Sequence, residues 1–328
     1  MERHLELRSP GWAASSGHFA AMFSFGIAPI GFLVQKSLTE SISVLHILSV
    51  QLGCSAIVLW LISFMLWKEG SIAPGALAKG LGLGLLQPGV VLLLNVAGAA
   101  RLDSVTLVLL WALQPPATAF VGVILLGERP PSTLKYGLAV SFAGLVLLAV
   151  QRNPVGANQA AGFALVLAAI ACAAVGPAIS RHLNTVVLPW HRAASLQVTG
   201  GALLTGLGLV LVGDVSGLPA LPGLWPSFAF LIFVSSAASY LAYSFALSRI
   251  DVAWVSLYAA VGPGLGAIVA VAVSGRAPGP VEAAGISVVV AGSVIPHLGK
   301  RADARQGRGT AMAGSLRRVG IEADRGKC

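Results

Sequence analysis

The residues able to engage another molecule are few, and they lie inside otherwise apolar runs: Gln87 beside Pro88, Asn95, Trp111, Gln114, Ser236, Tyr240, Tyr243 and Tyr258, with Ser235, Ser239 and Ser256 among them. Amides, hydroxyls and aromatic faces can hydrogen-bond and stack. They do not supply the gathered acids or histidines that acid–base chemistry needs, and no Asp, Glu, Lys or Arg falls in the middle of any of these runs. The chemistry expected is noncovalent recognition of a small amphiphilic or zwitterionic solute, such as an amino acid or a derivative. A vitamin or nucleobase-like ring is the alternative. No cofactor or metal is expected, since Cys54, Cys172 and Cys328 form no ligand spacing.

Helical spacing sorts these residues. Trp111 and Gln114 are three apart and share a face; Tyr240 and Tyr243 do the same, with Ser236 one turn earlier on that side. Trp254, near one end of its run, reads as part of an interfacial aromatic belt. Burying such polar groups in hydrocarbon is costly unless they meet partners or water. They therefore suit a cavity wall.

The elements that must hold them are membrane helices. The chain is 56% hydrophobic and 10% charged, with mean hydropathy +0.85, whereas a soluble domain is about one quarter charged. The twelve Asp and Glu sit in connections, helix edges or tails. Between them run ten stretches, near residues 14–35, 43–67, 80–100, 104–126, 133–151, 160–180, 193–213, 225–248, 252–274 and 280–298. A hydrocarbon core of about 30 Å needs roughly 17–25 residues of helix, and the runs lack the alternation of barrel strands. The expected fold is an all-α membrane protein with ten transmembrane helices, its first span an uncleaved anchor after Arg3 and Arg8.

Cytoplasmic loops retain Lys and Arg. Placing the N-terminus inside leaves only Lys36, Arg101, Arg152 and Arg276 outside, so both termini are expected in the cytoplasm of a cell inner membrane. The formal charge of +9 has its surplus after Lys300. That tail reads as a solvated, lipid-proximal segment, with no nucleic-acid partner. The expected domains are a cytoplasmic N-terminus (1–13), two five-helix repeats (14–151 and 160–298) and a basic disordered tail (299–328).

The repeats appear on sliding the chain by 148 positions. Arg101 then meets Arg249, Asp103 meets Asp251, Pro29 meets Pro177, Pro115 meets Pro263, Gly137 meets Gly285 and Gly144 meets Gly292. Each copy holds five spans, an odd number, so the second copy must enter from the opposite side. Inverted repeats let one site face either side by alternating access. Asp103 and Asp251 then lie on opposite faces, which argues against a membrane-embedded transferase or any other enzyme. The paired prolines Pro29, Pro115, Pro177 and Pro263 are expected hinges, because each removes a helical hydrogen bond. The run "GLGLGLLQPG" at 80–89 lacks the strand and the Lys-Ser/Thr of a phosphate loop, and reads as close helix packing.

The segment "LLGERPPSTLKYGLAVSFAGLVLL", residues 125–148, resembles the Gly-Glu-Arg then Gly-x6-Gly pattern that closes each repeat of EamA-type transporters in the drug/metabolite transporter superfamily. The resemblance covers nearly the whole chain except the tail. It implies a central cavity enclosed by the third, fourth, eighth and ninth helices with the first and sixth. The second copy departs from the pattern, placing Arg276 opposite Glu128, so a symmetric coupling role for that acid is not expected. The function expected is gradient-driven efflux of a small metabolite. Its partners are the solute and the lipid bilayer, with a homodimer left open.

Overall fold

The computed structural model describes residues 11–66, 71–115, 156–212, 222–250 and 261–274, with scattered positions between 117 and 147, 255 and 259, and 279 and 295. The Gly-Glu-Arg motif at 127–129, Pro116, Asp251, Trp254, Ser256, Arg276 and the C-terminal tail lie outside the described residues. So does most of the expected fifth span.

The regular elements among the described residues are all helices, without strands. In chain order they form α1 (Gly11–Leu38), α2 (Val44–Met65), α3 (Pro74–Ala99), α4 (Ser104–Leu113), α5 (Ala157–His182), α6 (Trp190–Val212), α7 (Trp225–Arg249), α8 (Val261–Ser274) and α9 (Ala283–Gly292). Six of these, α1, α2, α3, α5, α6 and α7, are long and apolar enough to cross a membrane. Large side chains such as Ile57, Leu61, Leu207 and Val210 are exposed on them. That outer surface is what a lipid-facing helix requires, since every backbone polar group is already satisfied within the helix.

Side-chain contacts define two ends of the bundle. At one, Gly17 of α1 packs on Arg249 and Ile250, and Arg181 Nη1 donates to the Ile250 carbonyl at 2.7 Å. At the other, Lys36 Nζ donates to the Ala99 carbonyl at 3.1 Å and Gly98 lies against Val166. Asp103 starts α4 there, its carboxylate accepting from Thr106 N at 3.0 Å. The Arg-Leu-Asp triplet is therefore a capped helix boundary.

Small residues bring helices together. Gly80 and Gly84 of α3 rest on Leu196 and on the Gln197 backbone of α6, and Gly200 returns the contact against the Leu81 carbonyl. Gly82 faces open space. Spacing of four puts Gly80 and Gly84 on one side of the helix and Gly82 on the other. On its far side from Gln197, α6 is stitched to α2: Ser63 Oγ lies 2.9 Å from His191 Nδ1, Ser195 Oγ donates to the Leu59 carbonyl, and Trp60 Nε1 donates to Thr199 Oγ1.

The backbone breaks at a different proline from those expected to act as hinges. Helices α1 and α5 continue through Pro29 and Pro177, and a tight turn at Trp111–Leu113 precedes Pro115. In α3, however, Gln87 is extended (φ −137°, ψ 108°) inside a wide turn spanning Leu85–Val90. Gln87 precedes Pro88, whose ring disfavours the helical conformation at the residue before it. A second wide-turn stretch, Phe230–Ala238, interrupts α7.

Candidate solute-binding cavity

A cavity of about 120 Å³ opens where these interruptions meet. Pro29 and Phe32 come from α1, Gln51 from α2, Gln87 and Val91 from α3, and Trp111 from α4, with Gln114 just beyond it. Ala173 of α5, Ser235 to Tyr243 of α7, and Gly262 and Pro263 of α8 complete the wall. No lining residue carries a charge.

Each polar group is placed by its helix. The wide turn of α7 turns Ser235 and Ser236 inward, ahead of Ser239, Tyr240 and Tyr243. Wide turns of this kind recur at functional sites because they re-aim side chains without ending the helix. The break at Gln87 turns its amide toward Gly176 of α5, where even a methyl group would collide with it. A relay crosses the cavity: Gln35 Nε2 donates to Gln51 Oε1 at 2.9 Å, and Gln51 Nε2 donates to Ser236 Oγ at 2.7 Å. Ser24 and Ser239 hydroxyls pair at 3.0 Å. Aromatic faces complete the wall, Phe32 with Trp111 at 4.9 Å between ring centres and Phe25 edge-on to Tyr243 at 6.0 Å.

Of the residues singled out from sequence, Gln87, Trp111, Gln114, Ser236, Tyr240 and Tyr243 line this cavity. Asn95 stands behind the wall, fully buried, and accepts from Trp111 Nε1 at 2.8 Å. Tyr258 is turned away, its hydroxyl 3.2 Å from His18 Nδ1. Among the expected hinges Pro29 and Pro263 touch the cavity; Pro115 and Pro177 do not. Sequence reasoning missed Gln35 and Gln51, both 1% exposed. The signal was present for Gln51, an amide inside an apolar run like Gln87, whereas Gln35 sits at the edge of its span beside Lys36.

Positions 148 apart meet on this wall. Phe25 and Ala173, Gln87 and Ser235, Val91 and Ser239, Leu92 and Tyr240, Trp111 and Ala259, and Gln114 and Gly262 all line it. The wide turn Leu85–Val90 likewise falls within Phe230–Ala238 under the same shift.

Comparison with known proteins fits this geometry. Residues 15–150 match the EamA-like transporter family. This segment is similar to an EamA-like domain, consistent with the drug/metabolite transporter superfamily, and the six long apolar helices among the described residues fit a multi-pass membrane protein. A solved structure described as "Crystal structure of protein" superposes with a TM-score of 0.64, covering 88% of this chain and 99% of its own, at 18% identity. That likeness is one of fold. No curated protein matches the chain.

Proposed function

We propose that the protein is an inner-membrane secondary transporter that exports a small uncharged or zwitterionic metabolite, an amino acid or similar amphiphile, by alternating access. The observation that carries this reading is the set of 148-spaced pairs around one cavity. A wall drawn in matching positions from two sequence halves, each expected to hold five spans, is what inverted repeats require, and rocking such halves exposes one site to each side in turn. The repeats are taken as 14–151 and 160–298, with both termini cytoplasmic.

The wall also limits the solute. At about 120 Å³ the cavity is several times what one water needs, which suits a small solute. Glutamine amides and serine hydroxyls bond to ammonium, carboxylate or amide groups alike, while Phe32, Trp111 and Tyr240 cover an apolar side chain. A solute with a net charge would lack the counter-charge that a low-dielectric site demands. By the same argument, transport follows the solute's own gradient.

Counterflow in proteoliposomes tests this directly. Labelled neutral amino acids and their amide or ester derivatives are expected to exchange, with no loss on adding an uncoupler. Absence of exchange for every such solute, or accumulation that collapses with the uncoupler, refutes the proposal. Intracellular and medium metabolites in deletion and overexpression strains give the direction.

A further inference from the structure

Between the cavity and the Arg249 end of the bundle lies a second group of buried polar side chains. Ser180 Oγ donates to Gln197 Oε1 at 3.4 Å, and Asn184 Nδ2 donates to the Ser180 carbonyl at 2.6 Å. Tyr243, on the cavity wall, looks toward Ser180 without the geometry of a hydrogen bond. All four residues are at least nine-tenths buried, yet among the described residues Asn184 Oδ1 and Gln197 Nε2 have no hydrogen-bond partner, and the Tyr243 hydroxyl has none of good geometry. Native interiors rarely leave such atoms unsatisfied, and each one that persists calls for a reason.

Helix-to-helix glue is not that reason. The opposite face of α6 shows what glue looks like: Trp60, Ser63, His191, Ser195 and Thr199 each have partners. Gln197 lies two residues from both Ser195 and Thr199, so it points away from that seam. It faces the side where α5, α6 and α7 converge. Next to Ser180 on α5, Arg181 donates to the Ile250 carbonyl at the Arg249 end of the bundle.

We propose that Ser180, Asn184, Gln197 and Tyr243 form a second polar station, shown here closed, which takes up water and the hydrogen-bonding end of the solute when α5, α6 and α7 part. Tyr243 is the door between this station and the cavity. The inference rests on reading the cavity as the solute site.

Cysteine accessibility tests it in the full chain reconstituted in liposomes, with Cys54→Ala, Cys172→Ala and Cys328→Ala as background. Gln197→Cys is expected to react with a water-soluble cationic methanethiosulfonate reagent applied to the Arg249 side. Adding Tyr243→Ala, or Tyr243→Leu where the smaller side chain impairs folding, should raise that rate about ten-fold, the factor for an opening cost lowered by one decade. A Gln197→Cys rate no greater than that of the lipid-facing control Leu207→Cys overturns the station. A rate indifferent to Tyr243 overturns its role as door. Ser236→Cys reports separately on the cavity: its labelling with an inert Gln197→Cys sinks the station alone, and its silence sinks the cavity reading.

Discussion

Trp111 donates its indole N–H to Asn95 Oδ1 at 2.8 Å, and both residues are buried. Asn95 therefore sets the angle at which the Trp111 ring faces the cavity without touching the cavity itself. Truncating it leaves a buried donor unpaired, at a cost of about 1–3 kcal/mol. Asn95→Ala is expected to lower thermal stability in detergent and to raise KM for the exchanged solute. The double variant Asn95→Ala/Trp111→Phe should be no worse in KM than Trp111→Phe alone, because coupled residues are not additive.

Gln51 is the hub of the relay from Gln35 to Ser236. Gln51→Leu keeps the volume and removes both bonds. We expect kcat/KM to fall about ten-fold or more, about 1.4 kcal/mol of lost stabilisation, with the helix content by circular dichroism unchanged. Unaltered transport would show that the relay is packing alone.

The glycines of α3 separate by face. Gly84→Leu drives a side chain into the Gln197 backbone and is expected to cost at least the 1–3 kcal/mol typical of overpacking, read as a lower melting temperature. Gly82→Leu meets open space and should melt like the parent. A substitution at Gly176 acts on the site instead: Gly176→Ala displaces the Gln87 amide, lowering solute affinity more than stability.

Asp103 tests the reading of its triplet as a boundary. Asp103→Ala removes the cap on Thr106 N and should cost about 1 kcal/mol, while Asp103→Ser, another good cap, should cost much less. Solute exchange by Asp103→Ser is expected to match the parent. A large loss there would mean that the carboxylate does more than start a helix.

What could be read from the chain followed the strength of each signal. Runs long enough to cross hydrocarbon fixed α1, α2, α3, α5, α6 and α7 to within a few residues, apart from the start of α3, which begins six residues earlier than its apolar run because Pro74 opens it. Helical spacing grouped Ser236, Tyr240 and Tyr243 on one wall, since a helix face is a local property. Rotation of one helix against another is not local. Tyr258 was placed in the wall by membership of its helix, and the structure turns it to His18. Proline spacing pointed to Pro29 and Pro177, yet both helices run on through them, while the break fell at Gln87. A proline's effect depends on whether neighbouring packing holds the turn before it, and sequence carries no record of that.

The contact between α3 and α6 bears on how the molecule can be cut. Gly84 and Gly200 belong to different halves of the chain, and so do Ser63 and His191. The segments before and after Gly156 are thus not separable bodies; each packs against pieces of the other. Two fragments divided just before Gly156 should be unable to fold when made singly, and should recover transport only when made together in the same cell.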